Sequence, residues 1–112
     1  MLFLEGRGVE GDDVEAAAWF RRAAELDNAD AQVHLALMYA EGRGVQQDDA
    51  EALQWFRRAA EHGDAFAQYE VGVRYLQGRG VARDVAEAAR WLKSSAELGF
   101  SPAAEYLHAQ GM

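Results

Sequence analysis

The chain has 112 residues, half of them hydrophobic, with a formal net charge of −8 and no cysteine. That acidity opposes contact with a phosphate backbone, which sets nucleic acid aside and favours either a cationic partner or simple solubility. Without cysteine there is neither a disulfide framework nor a thiolate metal site. The longest apolar runs also fall far short of the roughly 20 residues that span a bilayer, and Met1–Leu4 lacks the basic start of a signal peptide.

The tetrapeptide Gly-Arg-Gly-Val stands at Gly6–Val9, Gly42–Val45 and Gly78–Val81, with a spacing of 36 residues at both steps. A constant period in this range marks a stack of supersecondary units. Met1–Glu5 aligns with Leu37–Glu41, so residues 1–5 read as the end of a partial helix and 1–112 as one repeat array. Connectors are expected at 6–11, 42–47 and 78–83, where the glycines set a turn and the valine tucks against the stack. A tryptophan-bearing helix follows each connector, at about 13–26, 49–62 and 85–98. In the middle copy Ala52, Trp55, Phe56, Ala59 and Ala60 form one stripe at helical spacing, matched by Ala16, Trp19, Phe20, Ala23 and Ala24 and by Ala88, Trp91, Leu92, Ser95 and Ala96. Asp12, Asp48 and Asp84 each precede a glutamate by three residues, an Asp-led capping box.

Asp27, Gly63 and Gly99 then fall where that helix must stop, and Asn28, Asp64 and Ser101 are the expected N-caps of a second helix, at about 29–41, 65–77 and 102–110. Pro102 suits a first turn. Ala67, Val71, Gly72 and Tyr75 form the inner stripe of the middle copy, matching Ala31, Leu35, Ala36 and Tyr39 before it. Ala36 and Gly72 sit where two helix axes approach closely, since a mid-helix glycine otherwise costs about 1 kcal/mol.

The run Ala29-x-Ala31-Gln32, Leu35, Ala36, Met38, Tyr39, Gly42, Gly44, Val45, Asp48, Ala52, Trp55, Phe56, Ala59, Ala60 and Glu61 resembles the Sel1-like repeat, a relative of the tetratricopeptide repeat. The resemblance covers the whole chain. It implies an all-α fold, a right-handed α-solenoid of antiparallel helix pairs with the 36-residue period. It also implies that the helices beginning at Ala29 and Ala65 are A helices lining a concave face, with the tryptophan-bearing B helices outside. Scaffolding or adaptor roles in bacteria follow from the same resemblance, and the lack of cysteine fits cytoplasm or periplasm alike. An inhibitor of the immunity-protein kind, plugging an effector or enzyme, is the alternative. Neither end carries an obvious polar capping helix, so the ends are expected to self-associate or to continue into a longer array.

Catalytic chemistry finds little support. His34, His62 and His108 occupy three different positions in their units, Asp12-Asp13 and Asp48-Asp49 are explained by capping, and no nucleophile, phosphate or zinc motif is present. No enzyme activity and no cofactor are expected. Arg21-Arg22 and Arg57-Arg58 read as solvated faces balanced by Glu25 and Glu61. What remains is variation on a fixed frame. Val33, His34, Leu37, Ala40 and Glu41 on one A helix become Tyr69, Glu70, Val73, Leu76 and Gln77 on the next. Apolar groups projecting from a concave face make a groove for a peptide or protein segment, so Val33, Leu37, Ala40, Glu41, Tyr69, Glu70, Val73, Leu76 and Gln77 are the candidate binding residues, with Val33 and Tyr69 the two suited to packing between units.

Overall fold

A computed structural model describes residues 9–112. Among them are six helices and no strand: α1 (Val9–Glu25), α2 (Ala29–Glu41), α3 (Asp49–Glu61), α4 (Ala65–Gln77), α5 (Val85–Glu97) and α6 (Ser101–Ala109). Each helix packs chiefly on its neighbours in the chain, and the molecule extends 46 × 23 × 21 Å, the shape of a stack. The partial helix expected at 1–5 and the start of the first connector lie outside the described residues.

Local chemistry sets the element boundaries. Asn28, Asp48, Asp64 and Asp84 adopt extended backbone and accept from the amide three residues on, at Ala31, Glu51, Ala67 and Glu87. Each bond satisfies one donor that a helix start would leave orphaned. At the other ends, Gly42 (φ 69) and Gly78 (φ 69) turn left-handed and donate to Met38 O and Arg74 O. Asp27 (φ 66), Gly63 (φ 92) and Gly99 (φ 93) reverse the chain between the paired helices.

Two expected caps do not hold. α1 is helical from Val9, inside the stretch expected as a connector, so Asp12 lies within the helix. The later connectors close when Asp48 N–H donates to Tyr39 O and Asp84 N–H to Tyr75 O, both at 2.9 Å. The corresponding acceptor for Asp12 is position 3, which is not among the described residues. Ser101 is likewise no cap. Phe100 stands in the register of Asn28 and Asp64, no side-chain cap bond forms, and Pro102 occupies the first turn of α6. Phe100 gives up the cap for packing, with its ring 6.0 Å from Phe66 and 5.4 Å from Tyr69, both edge-on.

The core is built from rings entering the spaces left by alanines. Leu35, Trp55, Phe56, Val71 and Tyr75 pack among Ala24, Ala36, Ala52, Ala59, Ala60, Ala67 and Ala88, and a smaller cluster of Leu92, Ala103 and Leu107 continues into the last unit. At Gly72 a Cβ would sit 2.7 Å from Leu92 Cγ and 3.1 Å from Ala88 O, so the expected close approach is between α4 and α5. The tryptophans are not equivalent. Trp55 is 7% exposed and Trp91 half-buried, but Trp19 is 64% exposed.

Three polar devices lock one unit to the next. The second glycine of each of the two later connectors lies against the backbone of the preceding B helix: a Cβ on Gly44 would stand 2.2 Å from Asp13 O, and one on Gly80 would stand 2.4 Å from Asp49 O. The arginine between the glycines reaches the same place, Arg43 to Asp13 and Arg79 to Asp49, each at 3.6 Å. Val45 and Val81 rest half-buried on the core. Secondly, buried Gln32 and Gln68 donate through Nε2 to Ala24 O and Ala60 O, at 3.0 and 3.1 Å, stitching the A helix to the end of the B helix before it. Thirdly, Arg21 donates to the Tyr39 hydroxyl and Arg57 to the Tyr75 hydroxyl at 2.7 Å. The reading of Arg21 and Arg57 as merely solvated is therefore corrected: they hold helix to helix, with their i+4 partners Glu25 and Glu61 at 4.0 and 3.8 Å.

Candidate interaction surface

The candidate residues lie on α2 and α4, two of the three A helices. On α2, Val33, Leu37 and Ala40 are half-buried with their inner sides on the main core, while Glu41 is exposed and accepts from Arg43 Nη1 at 3.1 Å. His34 is exposed, its ring stacked on Phe20 with centroids 4.9 Å apart and its Nδ1 2.8 Å from Asp30 O. On α4, Tyr69 and Val73 are half-buried against the second cluster, Glu70 is half-buried and Gln77 is exposed. Leu76 departs from expectation. It is 8% exposed and belongs to the core, so its side chain holds the stack together rather than lining a groove.

Two features escape a reading of single positions. At the boundary between the second and third units, Phe66, Tyr69, Phe100 and Tyr106 form a half-buried aromatic seam, with Tyr69 also edge-on to Tyr106 at 6.1 Å. The positions one period earlier are Asp30, Val33, Asp64 and Glu70, so a mostly polar seam becomes aromatic. Reading the two boundaries in register reveals the change. Burial, together with Glu70 and Tyr106 nearby, pushes the Tyr69 hydroxyl above its ordinary range.

The second feature is Arg74, which replaces Met38 of the unit before. Its guanidinium is buried, 3.3 Å from Asp49 and 3.6 Å from Glu70, and lies over the Phe56 ring with 5.2 Å to the centroid. Burial of this kind is tolerable only because two carboxylates neutralise the cation. Burial also raises the pKa of Glu70, partly offset by Arg74 and Arg79.

Cations are unevenly divided between the two sets of helices, although the B helices also carry acids, among them Asp12, Asp13, Glu15, Asp49, Glu51, Glu87 and Glu97. Exposed helical cations stand on the B helices, Arg22 on α1, Arg58 on α3, Arg90 and Lys93 on α5, beside the half-buried Arg21 and Arg57. The A helices carry Asp30, Glu41, Glu70 and Glu105, and their single arginine is the buried, neutralised Arg74. Their surface thus combines acids with half-buried apolar groups. No cluster of three or more metal-ligating side chains occurs among the described residues, and none of their helices is long and apolar enough to cross a membrane.

Comparison with known proteins accounts for this framework. The family model described as Sel1 repeat matches residues 1–28, 29–64 and 65–100. A protective antigen present in uropathogenic Escherichia coli strains, displaying an SLR fold, is 37% identical with a TM-score of 0.82 over 88% of this chain. The match spans only 22% of that protein's chain. A Sel1 repeat protein from Oxalobacter formigenes is 40% identical, TM-score 0.80, covering 82% of this chain and 69% of the other. Cysteine rich protein B of Helicobacter pylori shares the fold, with TM-score 0.77 at 23% identity over 81% of this chain and 68% of its own. Curated protein sequences give no match. With three successive repeats matched and the helix pairs stacked at their period, the chain belongs to the Sel1 repeat family.

Proposed function

We propose that this chain is a non-catalytic interaction module that takes a basic peptide or protein segment along the A-helix face, in the concave groove that a solenoid of this family forms. The observation that carries this reading is the placement of the cations: among the described helices, every lysine and arginine outside the core stands on a B helix, while Asp30, Glu41, Glu70 and Glu105 flank apolar groups on the A helices. Acidic groups beside an apolar strip steer a cationic partner and orient it, while burial of its apolar side chains supplies affinity. Leu37, Tyr69 and Val73 are the apolar contacts, Val33 and Ala40 lie beside them, and Glu41, Glu70 and Gln77 supply the polar rim. Stacked helices hold these groups in place beforehand, so binding costs little ordering entropy.

The reading is tested by selecting from a random displayed-peptide library against the whole chain. Enriched sequences are expected to combine lysine or arginine with aliphatic or aromatic residues, and to lose binding to Val73→Glu protein whose helicity and melting are unchanged. Enrichment of acidic sequences, or full retention by Val73→Glu, contradicts it.

A further inference from the structure

The aromatic seam between α4 and α6 is built as walls rather than as a stack. Tyr69 lies at 89° to Tyr106 and at 61° to Phe100, and Phe66 lies at 77° to Phe100. All four residues are half-buried, so each keeps contact with solvent. Rings set at such angles form a corner, the arrangement that surrounds a cation with π faces.

The rest of the chain shows how its aromatic groups are completed. Arg21 and Arg57 lie over tyrosines of the A helices packed beside them, 5.6 Å from the Tyr39 centroid and 6.0 Å from that of Tyr75, and each donates to the hydroxyl of that same tyrosine. Arg22, Arg58 and Arg74 lie over Trp19, Trp55 and Phe56. The seam is different. Among the described residues no guanidinium or ammonium lies over Phe66, Tyr69, Phe100 or Tyr106, and neither the Tyr69 nor the Tyr106 hydroxyl has a hydrogen-bond partner. The charge around it is acidic toward solvent. Glu105 is exposed on α6 and Glu70 half-buried on α4, whereas Arg74, the only lysine or arginine of these two helices, is buried against Asp49 and Glu70.

We propose that the seam is the arginine subsite of the A-helix groove, an assignment that rests on that face being the track of a basic partner segment. One arginine side chain of the partner lays its guanidinium on the rings and donates to the phenolic oxygens of Tyr69 and Tyr106, as Arg21 and Arg57 do to Tyr39 and Tyr75 within the chain. Glu105 answers its charge. A lysine ammonium matches the charge but neither the flat face nor the fork of donors. The boundary one period earlier has Asp30, Val33, Asp64 and Glu70 at these positions and no ring, so the arginine fixes the register of the partner along the stack.

The test is titration of isotope-labelled protein with N-acetyl-argininamide, N-acetyl-lysinamide and N-acetyl-citrullinamide, followed at the ring resonances of Tyr69 and Tyr106 and the amides of Phe66 and Phe100. The arginine probe is expected to shift them saturably, with a dissociation constant on the order of ten millimolar for so small a molecule. Citrulline, which keeps the shape without the charge, and lysine, which keeps the charge without the plane, are each expected to bind about threefold more weakly or worse. Tyr69→Val, which places the residue of the preceding unit in the seam, should abolish the shifts at Tyr106. Tyr106→Phe keeps the ring and loses only the hydroxyl, and should weaken the arginine probe about threefold with melting unchanged. Absence of saturable shifts, binding of lysine or citrulline as tight as arginine, or shifts that persist in Tyr69→Val protein overturns the assignment. The groove and its subsite fail separately. A library-selected peptide that shifts Leu37 and Val73, yet binds equally well with citrulline in place of each arginine, overturns the subsite and leaves the groove standing, whereas full retention of such peptides by Val73→Glu protein removes the groove itself.

Discussion

Two glycines two residues apart in one connector carry unequal demands, and their comparison isolates the contact that locks the repeats. Gly78 (φ 69) and Gly80 (φ 78) are both left-handed, so alanine at either position meets a conformational cost of about 1 to 2 kcal/mol. Their surroundings differ. A Cβ on Gly78 approaches nothing nearer than Arg83 Cβ at 3.5 Å, which is ordinary contact. A Cβ on Gly80 would stand 2.4 Å from Asp49 O and 2.6 Å from Asp49 C, backbone atoms of α3 that cannot yield. Relief requires the connector to lift, which separates Arg79 from Asp49 and Val81 from the core. Overpacking of this kind costs about 1 to 3 kcal/mol, so Gly80→Ala should lose about 2 to 5 kcal/mol in all and Gly78→Ala about 1 to 2. Urea denaturation followed by circular dichroism measures both. Equal losses in the two variants refute the idea that the connector is held by close backbone approach.

Other consequences are separable. Trp55→Ala should cost about 3 to 5 kcal/mol, whereas Trp19→Ala, at a largely exposed ring, should stay within about 1 kcal/mol; thermal melts distinguish them. Tyr75→Phe removes the acceptor of Arg57 and should lower stability by about 1 to 2 kcal/mol in chemical denaturation. Glu70 gives a pH dependence of definite sign. Its folded pKa is raised by burial, so the folded state holds the proton more tightly than the unfolded one. Stability from this group is therefore fully present below the ordinary glutamate pKa and falls as pH rises through the raised value. In denaturation profiles Glu70→Gln should flatten that fall, and an unchanged slope would remove Glu70 as its source.

The sequence read the frame well because the frame repeats. The A helices, the reversals at Asp27, Gly63 and Gly99, and the close approach at Gly72 each rest on local chemistry or on a position that recurs. Where the readings failed, a neighbour in space outweighed local propensity. Ser101 is a fine capping residue, yet the register puts Phe100 at that place and aromatic packing prevails. Trp19 shares the stripe of Trp55, yet its ring is largely exposed. The surface was harder to see. Arg74 and the aromatic seam become visible only when residues one period apart are compared, and the burial of Leu76 depends on how α4 packs, which period alone does not fix.

The central claim is that recognition takes place on the A-helix face. Its most direct test is amide chemical-shift mapping with a library-selected basic peptide. The account predicts shifts confined to α2, α4 and α6, centred on Leu37, Tyr69 and Val73 and weakening as salt is raised. Shifts centred on the B helices α1, α3 and α5, or indifferent to salt, would contradict it.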